Sequence, residues 1–431
     1  MTLKKIKKIV EDRIQPTAWE IRRLFKKSYQ RYLIFTDQES LRVADSEKFL
    51  VTLYKQYQRG GETVLGESTV AVQEGDDLRE RLEAAWEMAA LVANPVFQLP
   101  DQGLVYSPVN SLDEALKQHP LFYLDKIRDD LIKTPLPEVK LSSAEIFLDL
   151  KEEQILNSNG LDQGREESEL LLEFVLLAEQ ESGFGGESWG WRQGRFYEHL
   201  KAREAVQRYA RFAREAQTAR LPWAGRFPII FSEEALDTLF NFFVAQSSGG
   251  ARFQGWSRME IGSPVIGELR GEALTLTSNP GFPGLLKTRS FDTQGLPVQK
   301  VEVIRENVFR QRTSNKRYAD YLGEPATGDF ANVEVAPGLK SKQELLGAGP
   351  CYHLLRFSTF EPNPITGAFS GEIRTGYFLQ DGREEPVRGG SVSGVIGEAF
   401  QEAYFSKETT QRAAYHGPEA VRLEGLEIAG E

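Results

Sequence analysis

One cysteine, Cys351, and four dispersed histidines, His119, His199, His353 and His416, leave this 431-residue chain without obvious covalent or metal cross-links. A disulfide needs two thiols, and a helical zinc site needs two imidazoles three or four residues apart so that both reach one ion. Neither is present, so buried apolar surface has to hold the fold. The length suffices for two or three domains, each with its own core. A balance of 40% hydrophobic to 27% charged residues is ordinary for a globular protein.

Lys+Arg 52 against Asp+Glu 63 gives a net charge of −11. That excess of acid opposes the phosphate attraction on which non-specific nucleic-acid binding depends, so nucleic acid is not the expected ligand. The basic run Lys4, Lys5, Lys7 and Lys8 reads as a solvated terminal helix, and no apolar core of signal-peptide length follows it. The longest apolar run, Leu170 to Ala178, is interrupted by Glu173 and falls far short of the ~20 residues of a membrane span. The sequence therefore reads as cytoplasmic, with no membrane partner.

The fold class expected is α+β, with an N-terminal domain of antiparallel sheet and helices over 1–221 and a mainly antiparallel β domain over 222–431. Apolar positions Ile6, Ile9, Val10 and Ile14, then Trp19, Ile21, Leu24 and Phe25, predict short amphipathic helices around Pro16. Residues 32–35, 49–57 and 63–72 read as a meander that turns at Gly60-Gly61. Residues 76–92 have helical period with Asp76-Asp77 as the cap. A proline-rich connection over 94–137 carries helices at 112–117 and 124–132. Residues 144–150 and 154–156, the turn Asn157 to Gly160, and residues 170–178 form a second strand group, with a glycine-rich turn at 183–186. The period of 202–216 predicts an amphipathic helix.

The second half opens with a strand over 228–231 and a helix over 233–246. Strands over 298–304 and 308–312 meet at Glu306-Asn307, and a strand over 369–379 leads into the hairpin signal Asp381-Gly382. Among chemistry-bearing candidates, Cys351 and His353 read as structural residues, and Glu152-Glu153 and Glu166-Glu167 as solvated charge. Trp189 and Trp191 alternate on one strand; packing is the preferred reading over an aromatic binding face.

Several phrases taken in order resemble the TldD/PmbA family, which contains a zinc metalloprotease subunit, TldD, and a sister subunit, TldE or PmbA, historically called a modulator of DNA gyrase. Arg289-Ser290-Phe291-Asp292-Thr293-Gln294-Gly295-Leu296-Pro297 resembles its Pro-Phe-Asp, acidic, Gly-Val-Pro segment. Residues 363–370 resemble its Thr-Gly-Asp-Phe/Tyr-Ser turn, residues 325–328 a Pro-Ser-Thr-Gly segment, and Leu426 to Gly430 the Ser-Ile-Ala-Gly ending of the TldE branch. The likeness runs over about 144–431.

In the protease branch the resemblance implies a His-Glu-x-x-x-His helix and a cysteine near the C-terminus as ligands. Alignment places that helix at Thr238 to Gln246, without histidine or glutamate, and puts Tyr415-His416-Gly417 at the cysteine position. Phenylalanine ligates no zinc, and no carboxylate remains to activate a bound water. The resemblance thus implies a subunit without catalytic residue, metal or cofactor of its own. It further implies zinc in a TldD-like partner, a heterodimer with that partner or a homodimer, and an unfolded peptide as ligand held by strand capture. The surface expected for peptide or partner comprises Asn241, Gln246, Arg252, Phe357 and Thr359. The alternatives are a stand-alone hydrolase not using zinc, built on Cys351 or a carboxylate, and a homodimeric peptide-binding protein.

Overall fold

The computed structural model describes residues 1–180 and 183–431. Helix α1 (Leu3–Ile9) is capped by the Thr2 hydroxyl and runs into a π turn, Val10–Ile14, where Gln15 takes a φ of 51° ahead of Pro16. The second helix expected around Pro16 is instead strand β1 (Ala18–Ile34). Trp19 and Ile21, two apart, are buried together at 5% and 0% exposure, which is strand period. Pairing along both edges of this strand overrides local propensity. Strands β2 (Asp37–Arg59) and β3 (Glu62–Val72) complete the expected meander, turning at Gly60-Gly61 with φ of 62° and 89°. Helix α2 (Leu78–Ala89) starts where the Asp77 carboxylate accepts the N–H groups of Arg79 and Glu80.

The connection that follows carries α3 (Glu114–Gln118) and α4 (Pro120–Ile132). Strands β4 (Val139–Asn157), β5 (Asp162–Gln180) and β6 (Gly183–Gly194) come next, so the two strand groups read separately are one antiparallel sheet of order β3-β2-β1-β4-β5-β6. The glycines at 183–186 open β6 rather than make a turn, and residues 181–182 lie outside the described residues. Helix α5 (Ala202–Glu215) explains the need for glycine further along. It packs so closely over β6 that a Cβ on Gly190 would lie 2.6 Å from ring atoms of Phe174 and Tyr209.

Leu170, Leu172, Phe174 and Leu176 alternate inward beneath α4 and α5. The opposite face of the sheet is charged but not simply solvated, which corrects the reading of the paired glutamates. Glu153 lies 2.5 Å from both Arg22 and Arg165, and Glu167 lies 3.2 Å from Arg165 and 3.1 Å from Arg195. Adjacent carboxylates on a strand point to opposite faces. The one from each pair that faces this network is drawn into it.

The second half begins with β7 (Gly225–Ser232). The single expected helix is broken into a 3₁₀ turn (Glu233–Ala235), α6 (Leu236–Leu239) and α7 (Asn241–Gln246), followed by α8 (Gly249–Phe253). The break falls at Phe240, whose φ of −92° and ψ of 0° turn its ring into the core. The remaining strands are β8 (Leu276–Asn279), β9 (Val301–Arg305), β10 (Val308–Phe309), β11 (Asn332–Val335), β12 (Cys351–Phe360), β13 (Ala368–Gln380), β14 (Arg383–Val387), β15 (Ser391–Val395), β16 (Ala403–Phe405), β17 (Thr409–Arg412), β18 (Tyr415–Pro418) and β19 (Ala420–Ala429). Strands β9 and β10 are shorter than expected because residue 298 is held elsewhere, its N–H donating to the Ser290 carbonyl. The hairpins at Glu306-Asn307 and Asp381-Gly382 are present, all four residues having positive φ.

One sheet runs β10-β9-β8-β11-β18-β17. The other runs β12-β7-β19-β15-β13-β14, and a β12–β13 pairing closes five of its strands into a ring. A continuous apolar core joins the two sheets and takes in Phe231, Phe240, Phe243, Phe400 and Tyr415.

Replacing Gly190 by alanine should lower stability by about 1–3 kcal/mol through overpacking against Phe174 and Tyr209. Denaturant unfolding measures it, and an unchanged midpoint would mean that α5 does not sit on β6 as described.

Candidate functional site

The segment aligned with the metal-binding helix does meet the segment aligned with the third ligand. Their contact is aromatic. The Phe240 ring stacks on Tyr415, centroids 5.6 Å apart and planes 12° apart, and Phe400 closes the cluster at 5.9 Å from Phe240 and 5.0 Å from Phe243. The next residue, His416, lies against Phe282 at 4.4 Å, with its Nδ1 buried and unpartnered. Burial holds its pKa below the usual value, so the ring is neutral in spite of Glu334 opposite it on β11. A single imidazole beside rings is not a zinc site. Among the described residues no three His, Cys, Asp or Glu side chains are grouped to hold a metal ion, so zinc does not fit the residues present.

The turn just ahead of this segment forms one wall of a cleft of about 580 Å³ between the two halves of the chain. Glu233 and Asp237 face β6 residues Trp191 to Gly194, β17 residues Thr409 to Arg412, and the first turns of α5 at Lys201, Glu204 and Arg208. Both β6 and β17 are edge strands. An edge strand leaves its outer main-chain groups outside the sheet ladder; on β6 the Trp191 carbonyl accepts from the Arg192 guanidinium.

Charge fixes the walls. Arg412 grips Asp237 through two hydrogen bonds of 3.1 Å, their side chains being 15% and 10% exposed. Burial opposes the charge on Arg412, but the Asp237 carboxylate outweighs it and keeps the guanidinium charged. Behind the cleft, Glu234 accepts from Arg356 at 3.0 Å and from the Tyr209 hydroxyl, with Arg192 at 3.8 Å. Burial pushes the Tyr209 phenol up to about 12, so it stays a donor. Lys201 adopts a left-handed φ of 45° at the head of α5.

None of the five residues expected to form a peptide or partner surface lines this cleft. The Asn241 amide donates to Glu361 at 3.2 Å, and Thr238 donates to the Phe360 carbonyl at 2.6 Å, so α6 and α7 lie against the end of β12 where Phe357 and exposed Thr359 sit. Phe357 packs on Phe360 at 4.7 Å. Gln246 is a buried tether, donating to the carbonyls of Trp256 and Pro364 and accepting the Arg258 N–H. Arg252 pairs with Glu260 at 2.7 Å. The cleft residues escaped the sequence reading because Asp237 and Arg412 meet across 175 positions. A four-residue edge strand such as β17 carries no periodicity to detect.

The hydrolase candidates fare differently. Burial raises the Cys351 thiol pKa and the sulfur points to the Leu346 carbonyl, while burial drives His353 down to about 3. A neutral thiol and a neutral, enclosed imidazole make no nucleophile and base. Trp189, for which packing was preferred, is 43% exposed and lies beside Arg356. No helix of the described residues is long and apolar enough to cross a membrane.

Residues 224–430 match the family model described as the PmbA/TldA metallopeptidase C-terminal domain. An uncharacterised protein of Methanocaldococcus jannaschii is 21% identical over 346 residues, 76% of this chain and 78% of that protein. A zinc metalloprotease TldD homolog of Saccharolobus solfataricus is 23% identical over 40% of this chain and 42% of its own length. Among solved structures, TldE from Thermococcus kodakarensis superposes with a TM-score of 0.79 at 18% identity, covering 99% of this chain and 100% of that one. A Thermotoga maritima protein described as a proposed modulator of a DNA gyrase superposes with a TM-score of 0.81 at 18% identity, again over 99% and 100%. These likenesses establish the fold.

Alanine at Asp237 should cost about 3 kcal/mol by stranding the Arg412 charge, and Arg412→Met in the same chain should recover most of it. Chemical denaturation measures both. A single-variant loss under about 0.5 kcal/mol would mean that the pair fastens nothing.

Proposed function

We propose, for a chain that belongs to the TldD/PmbA family through its C-terminal domain, that it is a non-catalytic, TldE-like cytoplasmic subunit which holds unfolded peptide for a zinc-bearing TldD-like partner. The observation that carries this reading is the stack of Phe240 on Tyr415. It fills the contact between the two aligned ligand segments with rings, which neither bind zinc nor ionise water.

Peptide capture is supported by the cleft. An extended segment lying along β6 or β17 would have its main-chain groups satisfied by an exposed edge, a mode that gives affinity with little sequence preference. Side chains of such a segment point alternately to opposite faces. On β6 one face offers Trp191 and Gln193, the other Arg192.

Purified alone, the chain is expected to leave an unfolded peptide intact. With a TldD-like subunit added, cleavage should appear and should be abolished by a chelator. Chelator-resistant cleavage by the chain alone would contradict the reading. Binding of a short unfolded peptide, followed by fluorescence anisotropy, should weaken at least about tenfold when alternate main-chain nitrogens are methylated; equal affinity would rule out strand capture.

A further inference from the structure

A cavity of about 1010 Å³, distinct from the cleft, opens where β6 stops short along β5. Strand β6 accompanies β5 only from Leu170, opposite Gly194, whereas β4 pairs with it down to Asp162. Residues 163–169 of β5 therefore have a strand on one side only. At one end of this edge stands Ser111. Its carbonyl accepts the Ser168 N–H at 3.1 Å, and its hydroxyl donates to the Glu166 carbonyl at 2.9 Å. Beyond Ser111, residues 106–110 and 163–166 line the cavity, and among the described residues the two stretches make no main-chain bond to each other.

The Ser111 bonds show which main-chain groups look out of the sheet. Successive residues of a strand turn their N–H and C=O groups to opposite sides. The β4–β5 register is unbroken over this stretch, so Gly164 and Glu166, in step with Ser168, face away from β4. Among the described residues neither of their N–H groups, nor the Gly164 carbonyl, has a partner on that side. A strand edge of this kind, bordering a space large enough for an extended segment, can take one more strand.

The remaining walls set what kind of segment fits. Tyr123, Phe196 and Tyr197 present half-buried rings. The Lys126 ammonium lies over Tyr197 at 4.2 Å and Tyr123 at 5.7 Å, so ring faces here already hold a cation. Charge points the same way. Asp113 is occupied by the N–H groups of Ala115, Leu116 and Tyr197, Glu166 by Lys117, and Arg165 by Glu153 and Glu167. That leaves exposed Glu114 and Glu198 without an ion pair among the described residues, against Lys126 alone.

We propose that this slot binds an extended basic peptide segment as an additional strand on β5. The Gly164 and Glu166 N–H groups donate to its carbonyls, the Gly164 carbonyl accepts from it, and its lysine or arginine side chains meet Glu114, Glu198 and the tyrosine rings. The site is separate from the cleft and needs no protease partner.

The test uses an alternating lysine–valine octapeptide and its glutamate–valine counterpart, with binding to the full chain followed by fluorescence anisotropy and by hydrogen exchange. Gly164→Pro removes one outward N–H and leaves the β4 ladder intact, because proline is tolerated on an edge whose N–H faces out. Gly164→Ala is its control: the N–H stays, and the new Cβ would lie 3.6 Å from the Glu153 carbonyl oxygen, an ordinary contact. The lysine peptide should slow exchange at Gly164 and Glu166, and the glutamate peptide should not. Affinity for the lysine peptide should fall at least about tenfold in the proline variant and stay unchanged in the alanine one. Equal affinity in the two variants, unaltered exchange at those two amides, or equal binding of the glutamate peptide would overturn the slot. If the proline variant does not fold, the exchange comparison in wild type decides. Slowed exchange confined to 191–194 or 409–412 would support the cleft and overturn the slot, so the two sites are read separately.

Discussion

How the 233–246 segment is fastened to the last strands of the chain governs what the second half can do. In this protein the fastening is made by rings and one ion pair. Phe240 leaves helical geometry to stack on Tyr415, Phe243 and Phe400 pack around it, and Asp237 grips Arg412 a turn away. Burying each large apolar side chain contributes about 1.5–3 kcal/mol, so the cluster is a substantial share of what holds the helix in place. The helix break at Phe240 follows from it. An unbroken helix would have carried the ring away from Tyr415.

The same fastening positions the cleft. Asp237 and Arg412 are both wall residues, so the pair sets how the helix start sits relative to edge strand β17, while α5 and the glycines beneath it set the position of edge strand β6. Sheet edges left open are an aggregation hazard unless something covers them or they are recessed. Here residues of both edges line one cleft. Three ion pairs, Asp237–Arg412, Glu233–Arg208 and Glu419–Lys342, draw opposite charges together along the walls.

Much of the fold was legible from local chemistry. The Gly60-Gly61 and Asp381-Gly382 turns, the Asp77 cap and the strand over 170–178 each follow from what a few neighbouring residues permit. The misreading of β1 has a specific cause: Trp19, Ile21, Leu24 and Phe25 fit a helical stripe as well as a strand face, and only pairing with β2 and β4 decides. Glu153 reads as solvated because its partner Arg22 lies on β1, far away in sequence, and Glu167 because Arg195 reaches it from beyond the end of β6. That residues 238–246 carry no histidine and no carboxylate was plain in the sequence. The cleft was not, because it is assembled from edges, a helix start and an ion pair that spans the second half.

Metal content tests the central claim most directly. The protein, purified alone and dialysed after exposure to excess zinc, is analysed by inductively coupled plasma mass spectrometry alongside the Phe240→Ala and Tyr415→Ala variants. An aromatic contact in place of ligands predicts well below one zinc per chain in all three. One tightly held zinc per wild-type chain, lost when either ring is removed, would contradict it.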